Sequence, residues 1–121
     1  MLMRIPSLVL AAAFTVTAST SFAENVRIAF IDPLSGPFAP VGQNLFNSFK
    51  TIAELSNQKQ WGGQNTVEIV GFDNKGSPQE SLIQLKAAID QGYRYITQGN
   101  GSGVALALID AINKHLSLIH I

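Results

Sequence analysis

The sequence predicts an α/β domain with a parallel sheet and the element order β-α-β-α-β-α. Two observations carry that expectation. Short runs rich in β-branched residues alternate with longer stretches in which apolar residues recur at helical spacing. Alternation of that kind builds parallel strands joined by right-handed crossovers. The connections are also short, and no Pro-, Gly- or Ser-rich linker divides the chain, so its 121 residues allow one domain at most.

Residues 1–23 stand apart from that domain. Arg4 supplies a positive start, and residues 5–16 are largely apolar. That stretch is well short of the ~20 residues that span a bilayer. Ser21-Phe22-Ala23 places small residues at the −3 and −1 positions of a signal-peptidase site. The segment is expected to be a secretory signal peptide cleaved before Glu24.

The first strand is expected over residues 26–31, where Val-Arg-Ile-Ala-Phe-Ile is almost continuously apolar, as in a strand covered on both faces. Three prolines and a glycine between Asp32 and Pro40 predict a stiff irregular loop. From Val41 the spacing turns helical, with Val41, Leu45, Phe49 and Ile52 or Ala53 on one stripe, fading near Asn57. Trp61-Gly62-Gly63 is a turn. The second strand is expected over 66–72, closed by Asp73-Asn74-Lys75-Gly76.

Ser77-Pro78-Gln79-Glu80 announces the second helix. Ser77 can cap the Glu80 amide, Glu80 can reach back to the cap amide, and Pro78 fits the first helical position. Leu82, Leu85 and Ile89 form its expected buried stripe, and Gly92 ends it. The third strand is expected over 93–97. A Gly-rich loop at 99–103 follows. The third helix, residues 104–115, is apolar on most of its circumference and expected to be well buried.

Composition excludes several function classes. Eight basic and eight acidic residues give zero formal net charge, without the basic footprint of a nucleic-acid binder. The absence of cysteine excludes a disulfide scaffold, a thiolate zinc site, a cysteine nucleophile and a Cys-anchored lipoprotein. No P-loop sequence occurs. The Gly-rich loop reads G-x-G-x-G after the third strand, whereas a dinucleotide fingerprint reads G-x-G-x-x-G after the first. No cofactor is expected.

In open parallel sheets, ligands bind outside the carboxyl ends of the strands. Three loops share that edge: 32–40, 73–77 and 99–103. The third lets the backbone approach a ligand and runs into a helix N-terminus, whose unpaired amides favour an anion. Ser102 adds a hydroxyl donor. Gly-rich strand-to-helix turns also arise for steric reasons alone, and spacing does not separate the two readings. Asp32 and Asp73 both end strands. Paired carboxylates can do acid–base work, but an Asp after a strand more often starts a loop by bonding backbone. His115 and His120 lack a nearby carboxylate at ligand spacing and are expected to be solvated or incidental rather than a metal ligand or base. Trp61, Tyr93 and Tyr95 are expected in packing, and Lys86 with Asp90 forms an ordinary i, i+4 surface pair.

Ile28-Ala29-Phe30-Ile31-Asp32-Pro33-Leu34-Ser35-Gly36-Pro37-Phe38-Ala39, followed by Gly42, resembles the opening of type I periplasmic binding proteins. It is similar in particular to the substrate-binding proteins of branched-chain amino acid ABC transporters. The likeness continues through residues 67–74, 77–80 and 92–96 and the Gly-Ser loop, covering about residues 26–115.

The resemblance implies an incomplete Rossmann-like lobe: residues 24–115 would be the N-terminal part of lobe 1 of a two-lobed clamshell. It implies no enzyme activity. It implies a periplasmic protein that captures an amino acid or related carboxylate or amide and delivers it to an inner-membrane ABC permease. A ligand-sensing receptor of the same fold is the alternative, with a doubly wound nucleotide-dependent enzyme behind it. Ser102, with Asn100, Gly101 and Gly103, matches the loop that holds the ligand carboxylate in the family. Val41 stands where a ligand-contacting aromatic often lies, which departs from leucine, isoleucine or valine binders. Residues 116–121 do not resemble the family's continuation and are expected to be a truncation or reading-frame scar, or else a short apolar tail. A chain without a second lobe is expected to bind ligand weakly or not at all.

Overall fold

The computed structural model describes the backbone of residues 22–119 and the side chains of residues 22–115. The signal-peptide expectation falls almost entirely on residues outside these, as does His120. In chain order the elements are β1 (Asn25–Asp32), α1 (Ala39–Gln58), β2 (Thr66–Asp73), α2 (Pro78–Asp90), β3 (Tyr95–Thr97) and α3 (Ser102–Ile119). The three strands form one parallel sheet in the order β2-β1-β3. The predicted α/β class and element order are the observed ones.

The near-continuous apolar run makes β1 the central strand. Ala29, Phe30 and Ile31 have no exposed surface, and because successive side chains point to opposite faces they serve two cores. Phe30 joins Ala53 of α1 and Ile69 of β2 on one face, with the Phe46 and Phe49 rings 5.6 and 5.3 Å away. Ala29 and Ile31 pack on the other face with Phe72, Leu85, Ala88, Tyr93, Val104 and Leu108. Helix α1 therefore covers one side of the sheet, and α2 with α3 the other.

Local chemistry sets the helix starts. Ser77 caps α2 by accepting from the Glu80 amide at 3.3 Å, and Pro78 opens the helix. The expected return bond from Glu80 is not made. The Ser77 amide already donates to the Asn74 carbonyl, and Glu80 accepts from Gln84. Helix α1 begins at Ala39, two residues earlier than expected, with Pro40 in its first turn. A proline there loses no hydrogen bond, because first-turn amides have no intrahelical partner.

Several burial expectations are corrected. In α1 it is Ala53 that is buried, while Ile52 and Val41 are exposed. In α2 the buried face is Ser81, Leu85 and Ala88, and Leu82 is exposed. Trp61 and Tyr95 are exposed rather than packed. Helix α3 starts at Ser102 and buries only a stripe through Val104 and Leu108, leaving Leu106 and Ile109 exposed. Among the described residues, no helix is long and apolar enough to cross a membrane.

One connection was invisible to periodicity. Near the end of α1, Asn57 accepts from the Val67 amide at 2.8 Å and donates to the Val67 carbonyl at 2.9 Å. A side chain thereby covers both backbone groups of one residue on the β2 edge, where unpaired groups invite association. The other edge, β3, is not protected in this way. Beside it lies an apolar groove of about 510 Å³ lined by Leu85, Ile89, Tyr93, Tyr95, Ile96 and Ile112 among others. The chain is expected to self-associate with rising concentration, and Tyr95→Lys to suppress this by charging the edge. Sedimentation velocity checks it; a wild-type chain that stays monomeric throughout contradicts it.

Candidate functional site

The sheet order places a topological switch point between β1 and β3. From β1 the chain turns toward α1 on one face, and from β3 toward α3 on the other, so the loops diverge and leave a crevice at the carboxyl edge. A cleft of about 230 Å³ lies there, lined by Pro33, Phe38, Gly76, Asn100, Gly101 and Val104. All three loops expected at this edge contribute, and none of the lining side chains is charged.

The β3–α3 loop is shaped by backbone requirements. Gly101 has φ +92°, a left-handed conformation that favours glycine, and its carbonyl accepts the Ala105 amide at 3.0 Å as α3 begins. Gln98 folds its side-chain amide back onto the Asn100 and Gly101 carbonyls. Asn100 and Gly101 line the cleft, and Ser102 and Gly103 stand exposed in the first turn of α3 beside it. Val41 is half-exposed in the first turn of α1 and is not among the lining residues.

Phe38 is the wall residue that sequence reasoning missed. It sits just before α1, is 57% exposed, and its ring edge lies so close to Gly76 that a Cβ there would meet it at 3.2 Å. The ring thus spans two of the three loops. An aromatic between Pro37 and Pro40, in a loop at the carboxyl edge of the strands, was the available signal.

The two strand-end carboxylates are register partners across β1 and β2, and their environments push them apart. Burial drives Asp32 above its ordinary value near 3.8, and the amides of Asn100 and Gly99 offset only part of that rise. Asp73 is also pushed up by burial, but hydrogen bonds from the Ser35 hydroxyl and the Lys75, Leu34 and Ser35 amides outweigh it and hold the group low. Asp73 bonds one amide of its own loop, that of Lys75, as expected for a loop-starting residue, and also reaches across to Leu34 and Ser35 of the β1–α1 loop. Asp32 reaches the third loop, 67 and 68 residues away. Both carboxylates are occupied by loop backbone, and Asp32 has no exposed surface. Because the folded Asp73 value is lowered, its stabilising contribution is present above about pH 3.8 and is lost as pH falls through that lowered value. Asp73→Asn is therefore expected to lower the urea midpoint at pH 7, with the difference from wild type shrinking as pH falls through the lowered Asp73 value.

Among the described residues, no three His, Cys, Asp or Glu side chains gather as a metal site.

Comparison with known proteins agrees with this architecture. A family model described as periplasmic binding protein matches residues 25–119. The Leu/Ile/Val-binding protein homolog 4 of Brucella abortus is 33% identical over 100 residues, covering 81% of this chain and 24% of that protein. The leucine-, isoleucine-, valine-, threonine- and alanine-binding protein from Brucella ovis, solved in a closed conformation, matches with a TM-score of 0.62 and 33% identity, over 77% of this chain and 24% of its own. A solute-binding protein of an ABC transporter from R. palustris, solved in complex with 4-hydroxybenzoate, matches with a TM-score of 0.61 and 27% identity over 74% of this chain and 24% of its own. The chain spans about a quarter of the length of these relatives.

Proposed function

The chain belongs to the periplasmic binding protein family, and from that premise we propose that it forms part of the substrate-binding component of an ABC importer. The ligand is a small carboxylate, an amino acid or amide-like molecule in the first instance, captured in the periplasm after removal of residues 1–23. The observation that carries this reading is the Gly-rich loop at the switch point. Its residues Asn100 and Gly101 line an uncharged cleft, and it leads into the N-terminus of α3.

Unpaired amides and the helix dipole there favour a carboxylate, and the Ser102 hydroxyl can donate a further hydrogen bond. No bond is made or broken. Selectivity arises because the ligand binds the closed arrangement of two lobes better than the open one. Residues 24–115 supply one lobe's face, and the inner-membrane permease receives the cargo.

A second reading concerns the ligand's other end. Phe38 offers an exposed ring to the cleft, and aromatic rings pair favourably in offset or edge-to-face arrangements. That favours an aromatic carboxylate, the class held by the R. palustris relative.

Both readings are tested by grafting residues 25–115 in place of the matching segment of the Brucella ovis relative. The graft is then titrated calorimetrically with a panel of amino acids, their amides and benzoates. Saturable one-site binding of at least one carboxylate is expected. A folded graft that binds none of them removes the assignment.

A further inference from the structure

We propose that Asp32 is a positioning residue for the ligand seat, its buried carboxylate fixing the Gly99 and Asn100 amides and hence the order of the loop that leads into α3. This rests on the reading of that loop as the seat. Asp32 is the last residue of the central strand and has no exposed surface. Its Oδ1 accepts from the Asn100 amide at 2.9 Å and from the Gly99 amide at 3.4 Å. The neighbouring sheet pair is locked to the same residue, because the Asn74 amide donates to the Asp32 carbonyl at 3.1 Å. One residue therefore ties the ends of β1 and β2 to the start of the seat.

The carboxylate is used one-sidedly. Oδ1 takes both amides, while Oδ2 is buried with no hydrogen-bond partner among the described residues. A buried acceptor left unmatched is costly, so the pair of bonds on Oδ1 is kept against a penalty on Oδ2. The groups that face Asp32 do nothing to relieve it. Its partner on β2 is another carboxylate, Asp73. The β3–α3 loop presents uncharged Gln98, Gly99 and Asn100. From α1 the nearby side chain is Leu45, which crowds the same glycine that Oδ2 approaches. Lys75 stands exposed in the β2–α2 loop and gives its backbone amide to Asp73.

Two consequences run in opposite directions. The folded Asp32 value is raised, so its contribution to stability is fully present below about pH 3.8 and is lost as pH rises through the folded value. Over that same window Asp32 ionises, and its bonds to the two amides become charge-assisted and stronger. Once Asp32 is ionised the seat is thus held more tightly, at the expense of overall stability.

The test uses the full chain, labelled with ¹⁵N, without ligand. The Gly99 and Asn100 amide resonances are expected to shift together with a midpoint above pH 3.8. In Asp32→Asn that transition disappears. Above the wild-type midpoint, hydrogen-exchange protection at those two amides falls about fivefold in this variant, because a neutral acceptor is weaker than a charged one. The Val67 amide, held by Asn57 on the far strand, keeps its protection or gains. Asp73→Asn leaves the transition in place, since the lowered Asp73 value puts its own titration below 3.8. Amides that do not titrate above 3.8 in wild type overturn the proposal, as does a loss of protection spread evenly over the sheet in Asp32→Asn. Neither outcome involves ligand, so the assignment of the ligand class stands or falls separately.

Discussion

Gly42→Ala is expected to destabilise the chain by roughly 3 kcal/mol or more, as overpacking against a rigid neighbour does at its upper end. The sign is the informative part. Glycine inside a helix ordinarily weakens it by about 0.5–1 kcal/mol relative to alanine, so the same change at an unconstrained helical site stabilises. At Gly42 a Cβ would lie 1.9 Å from the Pro33 carbonyl oxygen and 2.8 Å from its carbon. Both atoms are backbone, so no rotamer change relieves the clash, and α1 must lift away from the end of β1. That close approach is what aims the 33–38 loop, including Phe38, at the cleft. Gly103 is the control: a Cβ there meets nothing within 4 Å, and Gly103→Ala, in the first turn of α3, is expected to leave stability unchanged or raise it by up to about 0.5 kcal/mol. Urea unfolding of the two variants beside wild type checks both signs. A Gly42→Ala chain as stable as wild type contradicts the packing described.

Ser102→Ala is expected to weaken carboxylate binding by the grafted lobe roughly ten- to hundredfold. A hydrogen bond to a charged group contributes about 1.5–3 kcal/mol, and each 1.4 kcal/mol is a factor of ten. Ser102 is exposed in the first turn of α3, so its removal has little effect on folding and the loss registers in affinity rather than in melting temperature. Calorimetric titration paired with a thermal melt separates the two. Unchanged affinity would show that the hydroxyl faces solvent and that the amides alone hold the anion.

The sequence made legible those features that depend on local chemistry or on two-faced burial. Ala29-Phe30-Ile31 announced a strand covered on both faces because no polar residue interrupts it, and the strand is buried on both faces. Ser77-Pro78 announced a helix start because cap and proline act within one turn. Errors arose where tertiary context decides. Glu80 could have completed a capping box, but the Ser77 amide was claimed by Asn74. Helix α3 is apolar on most sides, yet burial depends on what packs against it, and the described elements cover only the Val104 and Leu108 stripe. For the site, strand ends located the loops correctly. The tie from Asp32 to Asn100 was not legible, because nothing in spacing brings together residues 68 positions apart. Phe38 was hidden for a similar reason: its role depends on reaching Gly76 in another loop.

The proposed role of the loop from Gly99 to Gly103 is to seat a carboxylate. Its most direct test is a pair of titrations of the grafted lobe, one with the free acid that binds best in the panel and one with the methyl ester of the same compound. The ester keeps the side chain and removes the negative charge. The free acid is expected to bind in a saturable manner and the ester at least about tenfold more weakly, the scale of one charge-assisted hydrogen bond. Equal affinity for acid and ester would contradict the claim.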